Sequence, residues 1–416
     1  MRSKMPAMLR TAVALLFLFT SVSAFAQTDR ARVERILRDV PLIDGHNDLP
    51  WQYQKLADNR LAKIDIRRDQ PSVHTDIPRL RRGGVGALFW SVYVTADLEG
   101  SDAVRAVLEQ IDVVHRLDDI YSETFELART ADDVVRIHRN GKIASLIGVE
   151  GGHSIGESLA VLRQFHRLGA RYMTLTHSDN VPWADSATDD PEHNGLTPFG
   201  RRVVREMNRV GMLVDLSHVA PKTMHDAIDT SLAPVIFSHS STRAITNHAR
   251  NVPDDVLRRM KENGGIVMVT FVPGFISERV REHTAAKAAE EARLKSLYRG
   301  QPDRVTKDLA GWLTRNPAPQ ATIADVADHI EHVIRVAGPD HVGLGSDFDG
   351  IETTPSGLDS VATYPDLLLE LVRRGHSDEQ LRKLVGLNAL RVLRRAEEVA
   401  ARLQRETPAD DARIGD

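Results

Sequence analysis

The sequence predicts a (β/α)8 barrel. Three observations point to it. Eight short apolar runs, many rich in β-branched or aromatic residues, are spread along a chain of 416 residues. Helical patterns separate most of them, and alternation of this kind predicts a parallel sheet. Six of the eight runs end in an imidazole or a carboxylate: His46/Asp48, Glu150, His177, His218, His239 and Asp347. A closed barrel brings its strand ends into one ring, and that ring is where such barrels carry their chemistry.

The elements follow in order. Asp29 to Arg38 has helical spacing. Pro41 to Pro50 reads Pro-Leu-Ile-Asp-Gly-His-Asn-Asp-Leu-Pro, an apolar strand. It sets His46 and Asp48 two positions apart, on one side of an extended chain, before Pro50 stops it. Leu49 to Arg79 is polar and mixed and reads as a long loop. Val85 to Val94 is a strand after Gly83-Gly84, and Ser101 to Leu117 a helix. Ile143 to Val149 is a strand ending at Glu150-Gly151-Gly152. Leu159 to Leu168 is helical, and Tyr172 to Thr176 is a strand ending at His177. Pro198 to Val210 is a helix with Pro in its first turn. Met212 to Ser217 ends at His218, Pro221 to Ile228 is a helix, and Pro234 to Ser238 ends at His239. Pro253 to Glu262 is a helix and Gly265 to Val272 the seventh strand. Ser277 to Leu313 is long, charged and Ala-rich. Ile323 to Val336 is a helix, His341 to Ser346 a strand ending at Asp347, and Pro365 to Arg374 and Glu379 to Arg402 are helical. Residues 27–404 read as one domain, 272–322 as an insertion after the seventh strand with the makings of a lid, and 405–416 as a disordered tail.

Composition sets the address and removes whole classes of function. Arg2, Lys4 and Arg10, the apolar run Thr11 to Thr20 and the small-x-small site Ala24-Phe25-Ala26 form a secretory signal over 1–26. The expectation is an exported chain, periplasmic or secreted and soluble after cleavage near Ala26. No Cys follows for a lipid anchor, and no hydrophobic tail closes the chain for a glycolipid one. Without the signal, Lys+Arg falls from 54 to 51 against 58 Asp+Glu, a net of −7 that argues against nucleic acid as partner. The absence of cysteine excludes Cys-based zinc sites, a Cys nucleophile and disulfides. No Gly-x-Ser-x-Gly elbow is present for a serine hydrolase.

The strand ends then suggest a metal centre. Two His, or His plus carboxylate, suit a divalent ion, and five such groups exceed one tetrahedral zinc. The economical arrangement is two metals about 3.5–4 Å apart, with water between them titrating near pH 7. His46 and Asp48 would hold one, His218 and His239 the other, with Glu150 shared. Asp347 follows Gly343-x-Gly345-Ser346, glycines on its own strand face that would leave the barrel roomy there. It suits proton transfer, or else serves as a further ligand or an N-cap. His177 suits an oxyanion donor, or is a core histidine bonded to backbone. Arg250, in the loop Asn-His-Ala-Arg-Asn-Val-Pro, is a fork for a substrate carboxylate or a surface ion pair. His153, His225 and His248 read as structural or solvated.

Seven stretches taken together resemble the membrane (renal) dipeptidases. They are Ile43 to Trp51, Gly148 to Ser154, Thr174 to His177, Asp215 to Val219, Val235 to Ser240, Arg250 to Asp255 and Gly345 to Gly350, in order and at compatible spacings from about Val33 to about Arg395. The resemblance implies a (β/α)8 dipeptidase with two Zn2+ ligated at His46, Asp48, Glu150, His218 and His239, with Glu150 bridging. It implies that His177 contacts the scissile carbonyl, Arg250 binds the terminal carboxylate and Asp347 handles the proton, with a dizinc-bound hydroxide as nucleophile. Family members hydrolyse dipeptides, often tolerate a D-residue at the C-terminal position, and some open β-lactams. This chain departs from vertebrate members in lacking their dimer-linking cysteines and their lipid anchor signal, which leaves a homodimer without disulfides as the expectation. Its 272–322 segment also differs. Two alternatives stand beside this reading. One is another binuclear barrel hydrolase, such as a lactonase or amidohydrolase, although no Lys ends a central strand to bridge the metals. The other is a non-catalytic exported metal-binding protein.

Overall fold

A computed structural model describes residues 28–415. The signal segment read at 1–26 lies outside the described residues. The strands are β1 (Leu42–Asn47), β2 (Val85–Tyr93), β3 (Phe125–Leu127), β4 (Ile143–Glu150), β5 (Ala170–Thr174), β6 (Leu213–Asp215), β7 (Ile236–Phe237), β8 (Ile266–Val269) and β9 (Val342–Leu344). All pairings among them are parallel. The order β2-β1-β9-β8-β7-β6-β5-β4 closes through β2 and β4, making the eight-stranded (β/α)8 barrel expected from the sequence. β3 stands outside the ring, paired to the first half of β4.

Period-two alternation builds the barrel interior. On β2, Ala87, Phe89, Ser91 and Tyr93 share a face; on β4, Ala144, Leu146, Gly148 and Glu150 do. The register sets Phe89 beside Leu146, Ser91 beside Gly148 and Tyr93 beside Glu150. The inside thus rises from an apolar floor to a polar mouth. Phe89, Leu146, Tyr172, Ile266 and Met268 belong to one buried cluster that fills the floor. The opposite strand faces pack under the surrounding helices.

The structure revises several expectations. The stretch from Leu49 is not a loop: Leu49–Ala57 and Ile77–Arg82 are helices with a 3-10 turn between. Pro50 sits in the first turn of that first helix, where its missing N–H is harmless. Asp48 therefore lies just before a helix rather than on the strand, and a register shift in β1 precedes it. Gly343 and Gly345 do not make the barrel roomy. A Cβ at Gly345 would lie 1.8 Å from the Ser238 carbonyl oxygen, and one at Gly343 2.9 Å from Ile266. These glycines let strands and Met268 pack tightly. The charged insertion is a short helix Pro273–Ile276 followed by a helical arm, Glu278–Leu297 and Pro302–Arg315. Where the sequence pattern offers only a tail over 405–416, the last helix continues to Glu406 and Arg163 donates to the Asp410 carbonyl oxygen. Among the described residues no helix is long and apolar enough to cross a membrane.

Candidate metal centre

All eight candidate residues converge at the C-terminal mouth of the barrel. Asp48, Glu150, His177, His218, His239, Arg250 and Asp347 line a cavity of about 380 Å³. His46 lies at its floor, with Nε2 3.3 Å from Asp48 Oδ2 and 3.5 Å from Glu150 Oε2.

Glu150 divides the cluster. Its Oε2 faces His46 and accepts from Ser91 Oγ at 3.0 Å. Its Oε1 lies 3.0 Å from His218 Nε2, 3.5 Å from His239 Nε2 and 3.7 Å from His177 Nε2. The His218 and His239 Nε2 atoms are themselves 3.0 Å apart. Burial first, then Arg250 and neighbouring imidazoles, holds both of these rings well below the usual histidine range, so both are neutral. Two neutral ring nitrogens that close need a cation or a proton between them. His46 Nε2 and Asp48 Oδ2 are buried without a hydrogen-bond partner. Ligand atoms in the sets His46/Glu150/His239, Glu150/His177/His218 and His46/Asp48/Asp347 lie within 4.8 Å of one another. The donors are imidazole nitrogens and carboxylate oxygens, the set that divalent zinc-like ions take, and the residues fit such ions.

Outer groups fix the ligands. His46 Nδ1 lies 2.8 Å from the Tyr172 hydroxyl. His239 Nδ1 lies 2.8 Å from Ser238 Oγ, which donates to Asp215 Oδ2 at 2.7 Å. With these Nδ1–H groups donating, each Nε2 keeps a lone pair for a metal. Thr174 Oγ1 donates to Asp215 Oδ2 at 2.6 Å. Tyr172 reaches His46 only because residue 148 is glycine: a Cβ there would fall 2.0 Å from Tyr172 Cζ. On the other side, buried Asp44 accepts from Tyr364, from Ser346 and from the His46 backbone N–H. Sequence reading passed over Tyr172, Asp44 and Asp215. Asp44 and Asp215 each directly follow an apolar pair, Leu42-Ile43 and Leu213-Val214, whereas Tyr172, beside Arg171, carried no such signal.

His218 and Asp347 both have left-handed backbone, with φ of 71° and 66°. Non-glycine residues adopt it rarely, and here it turns both side chains into the cavity. Burial first, then the adjacent Asp48 charge, pushes the Asp347 carboxyl well above the usual carboxylate range. Gly350 makes room for the pair: a Cβ there would lie 2.4 Å from Asp347 Oδ1 and from Asp48 Oδ2. His177 is half-buried and partly stacked on His218, with centroids 4.2 Å apart. Arg250 is no surface ion pair. It is 4% exposed, its Nη1 is buried without a hydrogen-bond partner, and burial lowers its pKa only to about 10. It is a buried cation aimed at the cavity. Trp51 and Tyr93, packed edge to face at 4.9 Å, form the facing wall, which sequence reading also missed.

Comparison with known proteins gives this geometry its context. The family model described as "Membrane dipeptidase (Peptidase family M19)" matches residues 30–407. Dipeptidase verJ of Clonostachys rogersoniana is 40% identical over 395 residues, 92% of this chain and 91% of that one. Dipeptidase tcpJ of Claviceps purpurea is 45% identical over 371 residues, 86% of this chain and 77% of its own. A metallo peptidase from Rhodobacter sphaeroides, solved with a phosphinate mimic of the dipeptide L-Ala-D-Ala, is 26% identical with a TM-score of 0.71, over 86% of this chain and 99% of that one. The probable dipeptidase PvdM from Pseudomonas aeruginosa shares the fold, with a TM-score of 0.78 at 22% identity over 90% of this chain and all of that one. The chain belongs to the membrane dipeptidase family, peptidase family M19, and is a metal-dependent dipeptidase by that membership.

Proposed function

We propose that the chain hydrolyses dipeptides with two zinc ions, His46 and Asp48 holding one and His218 and His239 the other, with Glu150 shared. The observation that carries this reading is the divided environment of Glu150, one oxygen toward His46 and the other toward His218 and His239. Bound there, the ions would supply an acidified water and a Lewis acid for the scissile carbonyl.

The remaining steps belong to the protein. Arg250 pairs with the substrate's terminal carboxylate, and its burial strengthens that pairing and selects short peptides. His177, neutral and beside Glu150, donates Nε2–H to the developing oxyanion. Asp347 exchanges a proton between the attacking water and the leaving amine, a task suited to a carboxyl with a raised pKa. The Rhodobacter sphaeroides protein was captured with a mimic of L-Ala-D-Ala, which supports tolerance of a D-residue at the C-terminal position here. The same attack would open a strained cyclic amide, so β-lactam hydrolysis belongs to the proposal. Export rests on the signal at 1–26.

One experiment tests the reading. A panel of L,L- and L,D-dipeptides, N-acetylated and C-amidated analogues and a penem is assayed with and without chelator, alongside metal analysis. Cleavage of free dipeptides, abolished by chelator and restored by zinc, with about two metals per chain, is expected. Hydrolysis of lactones or phosphotriesters with no action on dipeptides would favour a different binuclear hydrolase.

A further inference from the structure

Beside the metal-ligand cavity lies a second one of about 500 Å³. The two share Val272, Phe275 and Ile351, so they adjoin across these side chains. The second cavity is walled by the short helix Pro273–Ile276, by Val280, Thr284, Ala285 and Ala288 of the arm, and by the loop after β9. Most of these side chains are small or apolar. Arg281 at its edge is paired with Glu278. His248 packs on Phe275 with ring centroids 4.3 Å apart. Burial, then nearby arginines, lowers the His248 pKa to about 4, so its ring is uncharged at neutral pH, and Arg281 and Glu352 are the charged side chains of the lining.

Gly274 is the telling residue. Its φ is not left-handed, and a Cβ built on it would meet nothing within 4 Å. Neither backbone nor packing asks for glycine, and glycine within a helix is unfavourable. Its effect is to leave the cavity open.

Geometry says which part of a substrate enters. Arg250 Cζ lies 5.4 Å from the Phe275 ring centroid. With the carboxylate at Arg250 and the scissile bond over Glu150, the residue between them is the C-terminal one. Its side chain leaves the carbon that bears the carboxylate, next to Phe275. We propose that this second cavity is the pocket for the C-terminal side chain of the substrate, and that it selects large apolar and aromatic side chains. The proposal rests on the dipeptidase reading above.

The test uses metal-loaded full-length protein and the substrates Ala-Gly, Ala-Ala, Ala-Leu and Ala-Phe. kcat/KM should rise about tenfold or more from Ala-Gly to Ala-Phe as the pocket fills. Gly274→Leu and Ala285→Phe intrude from two different walls. Each should lower kcat/KM for Ala-Phe about tenfold, mainly through KM, and leave Ala-Gly within about twofold. Retained Ala-Gly turnover also reports that the variants fold. Equal losses on both substrates, or no preference for Ala-Phe in the parent, would overturn the pocket and leave the dipeptidase intact. Failure of the parent to cleave any dipeptide would overturn the dipeptidase reading and the pocket with it.

Discussion

The mouth of the barrel and the helical arm beside it are built in opposite ways. At the mouth, imidazoles and carboxylates are buried, and His218 and Asp347 hold backbone conformations that few residues adopt. Ring nitrogens face each other, and glycines stand where any Cβ would collide. In the arm, Leu294 is the one buried residue of Glu278–Leu297 and Val305 the one of Pro302–Arg315. The arm is held in helix mainly by local propensity and by pairs such as Arg293 with Glu290 and Lys295 with Glu291. Mouth residues are fixed by neighbours distant in sequence, whereas the arm's side chains mostly pair within the arm itself, as His283 does with Trp312 and Arg281 with Glu278. A site built that way keeps its chemistry, and an arm built that way is free to change what the site accepts.

The largest effect should come from the mouth. Asp347→Asn should cut kcat by about 10²–10⁴-fold, the span of a positioned proton carrier, while metal analysis still finds both ions. Near-normal turnover would remove Asp347 from the reaction. Arg250→Ala should lower kcat/KM by about 10²-fold, through KM more than kcat, since a charge-assisted contact to the carboxylate is lost. It should also erase discrimination between free and C-amidated dipeptides. If that discrimination survives, the carboxylate is held elsewhere.

A step further from the reacting atoms, Tyr172→Phe removes the hydroxyl 2.8 Å from His46 Nδ1. Metal affinity should fall about tenfold or more, as for other groups that orient a ligand, with little change in melting temperature. Unchanged affinity by competition with a chelating dye would mean that packing alone fixes the His46 ring.

How far the sequence revealed this contrast depends on the residue. His46, Glu150, His218 and His239 were readable because each follows a short apolar run, and parallel strands must end together. Asp48 was found by a partly mistaken route, since it precedes a helix that the Leu-Pro-Trp-Gln stretch disguised as loop. The Asp48-Leu49-Pro50 order, with Pro in a first turn, was the missed signal. β3 has three residues, too few for a periodicity, and the helix Ala131–Arg139 after it escaped notice despite its Thr130/Asp133 capping box. Tyr172, Asp44 and Asp215 act through partners distant in sequence, and no local pattern names those partners. The Gly343 and Gly345 spacing was seen but misread, because a glycine in sequence does not say whether it makes space or fills a tight one.

Asp118 separates burial from function. It lies outside the mouth, takes a hydrogen bond from Ser145 Oγ at 2.5 Å, and its Oδ2 is buried without a hydrogen-bond partner. Burial raises its pKa to about 7. The folded value exceeds the unfolded one, so ionisation opposes folding. The penalty is absent below about pH 4 and grows to its full size above about pH 7. Asp118→Asn should therefore gain about 1–3 kcal/mol at pH 8 relative to its effect at pH 4, read by denaturant unfolding at both values. A pH-independent difference would mean that Asp118 is wet, and that desolvation in this fold is confined to the mouth.

The smallest effect belongs to the arm. Removing either ion pair of Glu278–Leu297, by Glu290→Ala or Lys295→Ala, should shift unfolding free energy by less than about 0.5 kcal/mol. The partners left behind, Arg293 and Glu291, have side-chain accessibilities of 59% and 36%. Water replaces what the partner provided. Hydrolysis of Ala-Gly should not change. A loss of several kcal/mol from either substitution would show that the arm packs as firmly as the barrel. The freedom assigned to it, to reshape the second cavity without disturbing the metal ligands, would then have no structural basis.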